Sequence, residues 1–97
     1  MFDVHSDLED VSQFFRALAD EGRLQLLMLL ENGEKSVTEL TELSGEKMVN
    51  VSARLKELLY HRLVMRRRKG RMMIYSLADN HVADIIRNAC EHINEDH

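Results

Sequence analysis

The apolar residues of this chain keep helical spacing up to His61, switch to strand-like runs, and return to helical spacing only after Ala78. That order leaves few folds open. Leu8, Val11, Phe14, Phe15 and Leu18 recur every three or four positions and predict a helix over 7–19, capped by Ser6 or Asp7, with residues 1–6 as a flexible lead-in. Ala19-Asp20-Glu21-Gly22 interrupts the pattern. Residues 22–31 then carry Leu24, Leu26, Leu27, Met28, Leu29 and Leu30 so densely that a second helix here must be buried on most of its circumference. Asn32-Gly33 stops it.

Ser36-Val37-Thr38-Glu39 has the form of a capping box and opens a short helix over 37–43. Ser44-Gly45 makes a tight break, after which Met48, Val51, Leu55, Leu58 and Leu59 predict a helix over 47–61. Two helices joined by so short a glycine-containing turn have the sequence form of a helix-turn-helix. Leu63–Arg68 and Met72–Leu77 are strand-like runs around Lys69-Gly70, giving a two-stranded wing over 62–77. A terminal helix follows over 79–95. The fold class is mainly α with a small β-hairpin, a winged helix-turn-helix in one domain over 1–97.

A domain of 97 residues has a modest core and often gains stability by forming a homodimer. Neither a membrane-length apolar run nor a basic targeting segment is present, so the expected location is cytoplasmic. The single cysteine, Cys90, cannot make an internal disulfide or a CxxC metal knuckle, which fits a reducing compartment. Charge is unevenly placed. The formal net charge is −4, yet six of the 13 basic residues (Arg62, Arg66, Arg67, Arg68, Lys69 and Arg71) lie in one segment without an acidic residue. An acidic body with one basic prong suits a targeted contact with a polyanion. The plainer alternative for the prong is a solvated hairpin.

The terminal helix carries ligand-type residues at both ends. At about 100° per residue, with Asp79 as zero, His81 falls near 200°, His92 near 220° and Glu95 near 160°, so the three share a stripe toward which Asp79 can turn. His81 and His92 are about 16 Å apart along the axis, whereas ligands lie about 2 Å from one zinc. One helix cannot close that site. Two antiparallel copies can, each site taking Asp79 and His81 from one protomer and His92 and Glu95 from its partner. The alternative is an ordinary polar helix end. Cys90 lies nearly opposite the stripe and reads as packing, the methionines read as core and strand filler, and His61 reads as a helix-terminal charge.

Ala17-Leu18-Ala19-Asp20-Glu21-Gly22-Arg23-Leu24, Val51-Ser52 followed by Leu55 and Leu58, and Arg62-Leu63-Val64 with Lys69-Gly70-Arg71 and Tyr75-Ser76-Leu77 together resemble the ArsR/SmtB family of bacterial metal-responsive repressors. The match runs nearly end to end. Asp79-x-His81, ten residues, then His92-x-x-Glu95 is similar to the terminal-helix zinc site of the SmtB-like subgroup. The cysteine motif that some relatives carry on the third helix is absent here. The resemblance implies a dimer, joined through its first and last helices, that binds double-stranded operator DNA and releases it when metal binds.

Two imidazoles and two carboxylates suit tetrahedral Zn2+, and Co2+ fits the same set. Ni2+ usually takes more ligands, which His5, His97 or Asp96 can add. All four positions are filled by protein, which argues for a sensing or structural site rather than a catalytic one. For DNA, the pool on the second helix of the helix-turn-helix is Lys47, Asn50, Ser52, Ala53, Arg54 and Lys56, with Asn50, Ala53 and Arg54 expected on bases. Ala53-Arg54 departs from the family's pattern, in which a histidine commonly follows the Val-Ser pair. Arg66, Arg67, Arg68, Lys69 and Arg71 at the wing would meet backbone or minor groove. Glu46 and Glu57 would have to face away from phosphate. Rival readings are a repressor of the same fold answering a redox, sulfur or organic signal, and a winged-helix protein-interaction module. No nucleophile–base set, phosphate loop or organic substrate site is apparent, so an enzyme is not expected.

Overall fold

The computed structural model describes residues 2–95. Five helices, α1 (Val4–Leu18), α2 (Glu21–Glu31), α3 (Val37–Ser44), α4 (Met48–Tyr60) and α5 (Asn80–Asn94), surround strands β1 (Lys35–Ser36), β2 (Val64–Lys69) and β3 (Met72–Leu77). The strands form an antiparallel sheet of order β1-β3-β2. This is a winged helix-turn-helix: α3 and α4 are its two helices and the β2–β3 hairpin is its wing.

The core is built where helical and strand faces meet. Leu26, Leu27, Leu40, Val51, Leu55, Leu58 and Leu63 have no accessible surface, and Ala17, Val64, Tyr75, Val82 and Ile86 close around them. Full burial of one such leucine contributes about 1.5–3 kcal/mol relative to exposure. Cys90 packs half-buried against this cluster. The second helix is less enclosed than its composition suggests, because Met28 is 45% exposed and Gln25 faces solvent. Nor are most methionines filler: Met48, Met65 and Met72 are about half exposed, and only Met73 of the wing packs on the core. Beyond Val64 every residue of β2 is exposed, whereas β3 keeps Ile74 and Tyr75 buried against the body.

Caps explain the element boundaries. Residues 4–6 are not a lead-in. Asp3, rather than Ser6 or Asp7, is the N-cap of α1: its carboxylate accepts from the His5 amide at 3.0 Å and the Ser6 hydroxyl at 2.7 Å, while Asp7 accepts from the Asp3 amide at 3.1 Å. The Ser6 hydroxyl and then the His5 amide hold the Asp3 carboxyl below the ordinary carboxylate value. At α3 the capping box forms as its sequence predicts, with Ser36 Oγ accepting from the Glu39 amide at 3.1 Å and Glu39 from the Ser36 amide at 3.0 Å. Ser36 has a second task that local pattern does not reveal. With Lys35 it forms β1, paired with Ile74 and Tyr75, so the sheet has three strands and not two. Two residues are too few to show alternation.

The turn from α4 into the wing is a Schellman motif: the Leu63 amide donates to the Leu58 carbonyl at 2.9 Å and the Arg62 amide to the Leu59 carbonyl at 3.0 Å. His61 is the C-cap, a helix-terminal place as expected, and Arg62 follows it in the left-handed region at φ 59°. Glycine normally holds that position, since a Cβ there costs about 1–2 kcal/mol. Arg62→Gly should therefore stabilise the fold by about 1 kcal/mol, seen as a higher urea midpoint at unchanged m-value; a lower midpoint would mean that the arginine side chain contributes more than its backbone strain costs. Among the described residues, no helix is long and apolar enough to cross a membrane.

Candidate functional site

The four terminal ligand candidates lie as two pairs. Asp79 is the N-cap of α5; its Oδ1 accepts from the Val82 amide at 3.0 Å and lies 3.6 Å from His81 Nδ1. At the other end His92 Nδ1 lies 4.0 Å from Glu95 Oε2. Glu95 is not helical: it is the C-cap, with extended backbone at φ −63° and ψ 147°, so its reach toward His92 comes from the chain leaving the helix and not from the helical stripe. All four side chains are exposed, His81 at 92% and His92 at 71%. Within one chain no group of three or more His, Cys, Asp or Glu is placed to hold a metal among the described residues. His5 lies exposed in the first turn of α1, and Asp96 and His97 fall outside the described residues.

Two nitrogen and two oxygen donors, split two and two, fit a four-coordinate divalent ion only if a second copy supplies the other half. The surface that would bring a second copy is apolar. Along α1, Val4 (69% exposed), Leu8 (63%), Val11 (46%) and Phe15 (55%) lie uncovered, and Ile93 on α5 is 77% exposed. Between α2 and α5, Leu24, Met28, Ala89, Cys90 and Ile93 line an open groove. The ion pair from Arg87 to Glu31 at 3.1 Å fixes α5 against α2 beside it.

On the helix-turn-helix, Lys47, Asn50, Ser52, Ala53 and Lys56 are exposed on or beside α4. Arg54 is not. Its side chain is 29% exposed and lies against Gly22 of α2, and its Nη1 has no accessible surface and stands 3.6 Å from Glu46. The expectation that Arg54 projects to bases is thus not how the side chain sits. Of the two acidic residues beside α4, Glu46 stands 3.6 Å from Arg54 and Glu57 pairs with Arg23 at 2.9 Å. In the wing, Arg67 is drawn into a 2.6 Å pair with Glu34, while Arg66, Arg68, Lys69 and Arg71 are exposed without an ion pair among the described residues. Gly70 at φ 63° makes the two-residue loop with Arg71 that presents them. Sequence reasoning gave Gly22 and Arg23 no contact with α4; an arginine after a helix N-cap gives no hint of a partner 34 positions away.

A helix-turn-helix followed by a cationic hairpin and a terminal helix with a His–carboxylate pair at each end defines the class of winged helix-turn-helix domains. The comparisons place it more closely. The chain is 40% identical over 87 residues to a transcriptional repressor SmtB homolog of Synechocystis, covering 90% of this chain and 66% of that protein. It is also 40% identical to the HTH-type transcriptional regulator NmtR of Mycobacterium tuberculosis, covering 84% of this chain and 68% of the relative. A homodimeric winged helix-turn-helix DNA-binding domain from Mycobacterium bovis, described as a possible ArsR-family regulator, superposes with a TM-score of 0.83 at 32% identity, covering all of this chain and 94% of that one. No protein-family model matches the chain. The chain belongs to the ArsR/SmtB family, whose relatives found here are transcriptional regulators rather than enzymes. It spans just under two thirds of the length of the Synechocystis relative.

Proposed function

We propose that the chain is a homodimeric operator-binding repressor of the cytoplasm whose two metal sites lie between the terminal helices, each using Asp79 and His81 of one protomer and His92 and Glu95 of the other. Zinc is the first candidate ion, with cobalt and nickel as alternatives. The observation that carries this reading is the splitting of four exposed donors into two close pairs at opposite ends of α5. Each pair is half a tetrahedral set. The uncovered apolar residues of α1 and α5 give a second copy something to bury, since exposed apolar patches of this kind mark interaction sites.

A bound divalent ion supplies the positive charge that draws two carboxylates and two imidazoles together. Asp79, which caps α5 through Oδ1, and Glu95, which lies on the non-helical end of the chain, would hold the ion together with His81 and His92. Joining the α5 helices at both ends restricts how the two α4 helices are spaced, and DNA release follows if that spacing fits the operator worse. Exposed Lys47, Asn50, Ser52, Ala53 and Lys56 are the proposed groove contacts and Arg66, Arg68, Lys69 and Arg71 the backbone contacts, with Arg67 reaching phosphate only by leaving Glu34.

The test is a titration of zinc, and separately cobalt and nickel, into the protein bound to the DNA upstream of its own coding sequence. Wild-type affinity should fall by about tenfold or more, a coupling in the usual range, and His81→Ala or His92→Ala should abolish the fall. If both variants respond like wild type, the ligand assignment is wrong. If no metal changes wild-type affinity, the repressor answers another signal.

A further inference from the structure

We propose that Gly22 and Arg54 form a joint that sets the tilt of α4 against α2, so that Arg54 is a positioning residue for operator binding and not a reader of bases. The proposal rests on the operator-binding reading above. A Cβ added at Gly22 would come within 2.5 Å of Arg54 Cζ and 2.8 Å of Nη2, and closer still to Nε, so the guanidinium lies directly on the α2 backbone in a notch that only glycine leaves open. Nη1 is sealed from solvent and faces Glu46 Oε1 at 3.6 Å. To reach a base edge the group would have to leave both the notch and its counter-ion.

The helical wheel agrees. With Val51 as zero, buried Leu55 and Leu58 lie within about 40° of it, Arg54 near −60° and Glu57 near −120°, whereas Val49 and Ala53 lie at about 160–200°. Arg54 and Glu57 therefore share the shoulder of α4 that faces α2, away from the exposed pole. Two consecutive residues of α2 receive them: Gly22 takes Arg54, and Arg23 pairs with Glu57 at 2.9 Å. Arg23 Nε also donates to the Ala17 carbonyl at 2.8 Å, closing the end of α1. The first turn of α2 thus joins the helix with the uncovered apolar face to the helix that reads DNA.

The atoms in the way of a Cβ are the far end of a flexible side chain, so Gly22→Ala should evict the guanidinium without moving backbone. The experiment compares wild type, Gly22→Ala, Arg54→Met and the double variant for affinity to the upstream DNA, and across single-base substitutions of that site, with far-UV circular dichroism reporting the fold. A joint predicts that each single variant stays folded and loses about tenfold in affinity, equally for every base variant, and that the double is no worse than either. A base reader predicts the opposite split: Gly22→Ala frees Arg54 and leaves binding unchanged or tighter, while Arg54→Met relaxes preference at one base pair. That result overturns the proposal. Wild type failing to bind the upstream DNA would remove the operator reading itself, and the positioning role with it.

Discussion

Mixing His81→Ala protein with His92→Ala protein should restore the metal response that neither variant has alone. In a His81→Ala homodimer both sites lack one imidazole, and the same holds for His92→Ala, so removal of a direct ligand should weaken zinc binding by more than about 100-fold, beyond what loss of a supporting residue costs. In the mixed dimer the defects fall together. The protomer that keeps His81 faces the protomer that keeps His92, giving one site with all four donors and one with neither histidine. Random re-association makes about half of all dimers mixed. Calorimetry should then find one tight zinc per mixed dimer, and the operator response should return in part. The pairing distances support this arrangement, since each end of α5 already gathers one histidine and one carboxylate. Were the metal bound within single chains, each variant would keep whatever its remaining pair provides, and mixing would add nothing.

What the sequence made legible follows a physical division. Helices and their stops were readable because the spacing of Val51, Leu55 and Leu58, the Ser36–Glu39 capping box and the glycine at the Gly45 C-cap are all local signals. The two His–carboxylate pairs of α5 were placed at its ends by type and spacing, although Glu95 meets His92 by leaving the helix and not by its place on the wheel. Three things were not local. β1 exists because Lys35 and Ser36 find Tyr75 and Ile74 some 40 positions on, a pairing that two residues cannot announce. Arg54 looks like a groove contact until Gly22 opens space for it, and Arg67 looks free until Glu34 is beside it. In the last two cases a charged side chain expected on DNA lies against another part of its own fold, Arg54 on Gly22 and Arg67 on Glu34.

Replacing Arg66, Arg68, Lys69 and Arg71 together by glutamine should weaken operator binding and flatten its dependence on salt. The chain carries a net charge of −4, and losing four positive charges takes it to −8, so the rest of the surface repels a phosphate backbone. Each phosphate contact contributes a slope of about −0.9 in log K against log salt, and loss of four from each protomer of the dimer should therefore reduce the slope by up to about 7 units. These residues are exposed and unpaired among the described residues, so their removal breaks no internal ion pair. Thermal stability should stay close to that of wild type. Arg67→Gln is the internal control. Its guanidinium is already neutralised by Glu34 at 2.6 Å, an exposed pair whose loss costs at most about 1 kcal/mol, so a contact from Arg67 must first break that pair and its contribution to the slope should fall below that of its neighbours. An unchanged slope in the fourfold variant would make the hairpin a solvated surface, and DNA contact would then have to come from α4 alone. That helix offers only Lys47 and Lys56 as exposed cations, with Arg54 turned inward. Two charges from each protomer are few for so acidic a body, which is the reason for assigning the electrostatic share of binding to the wing.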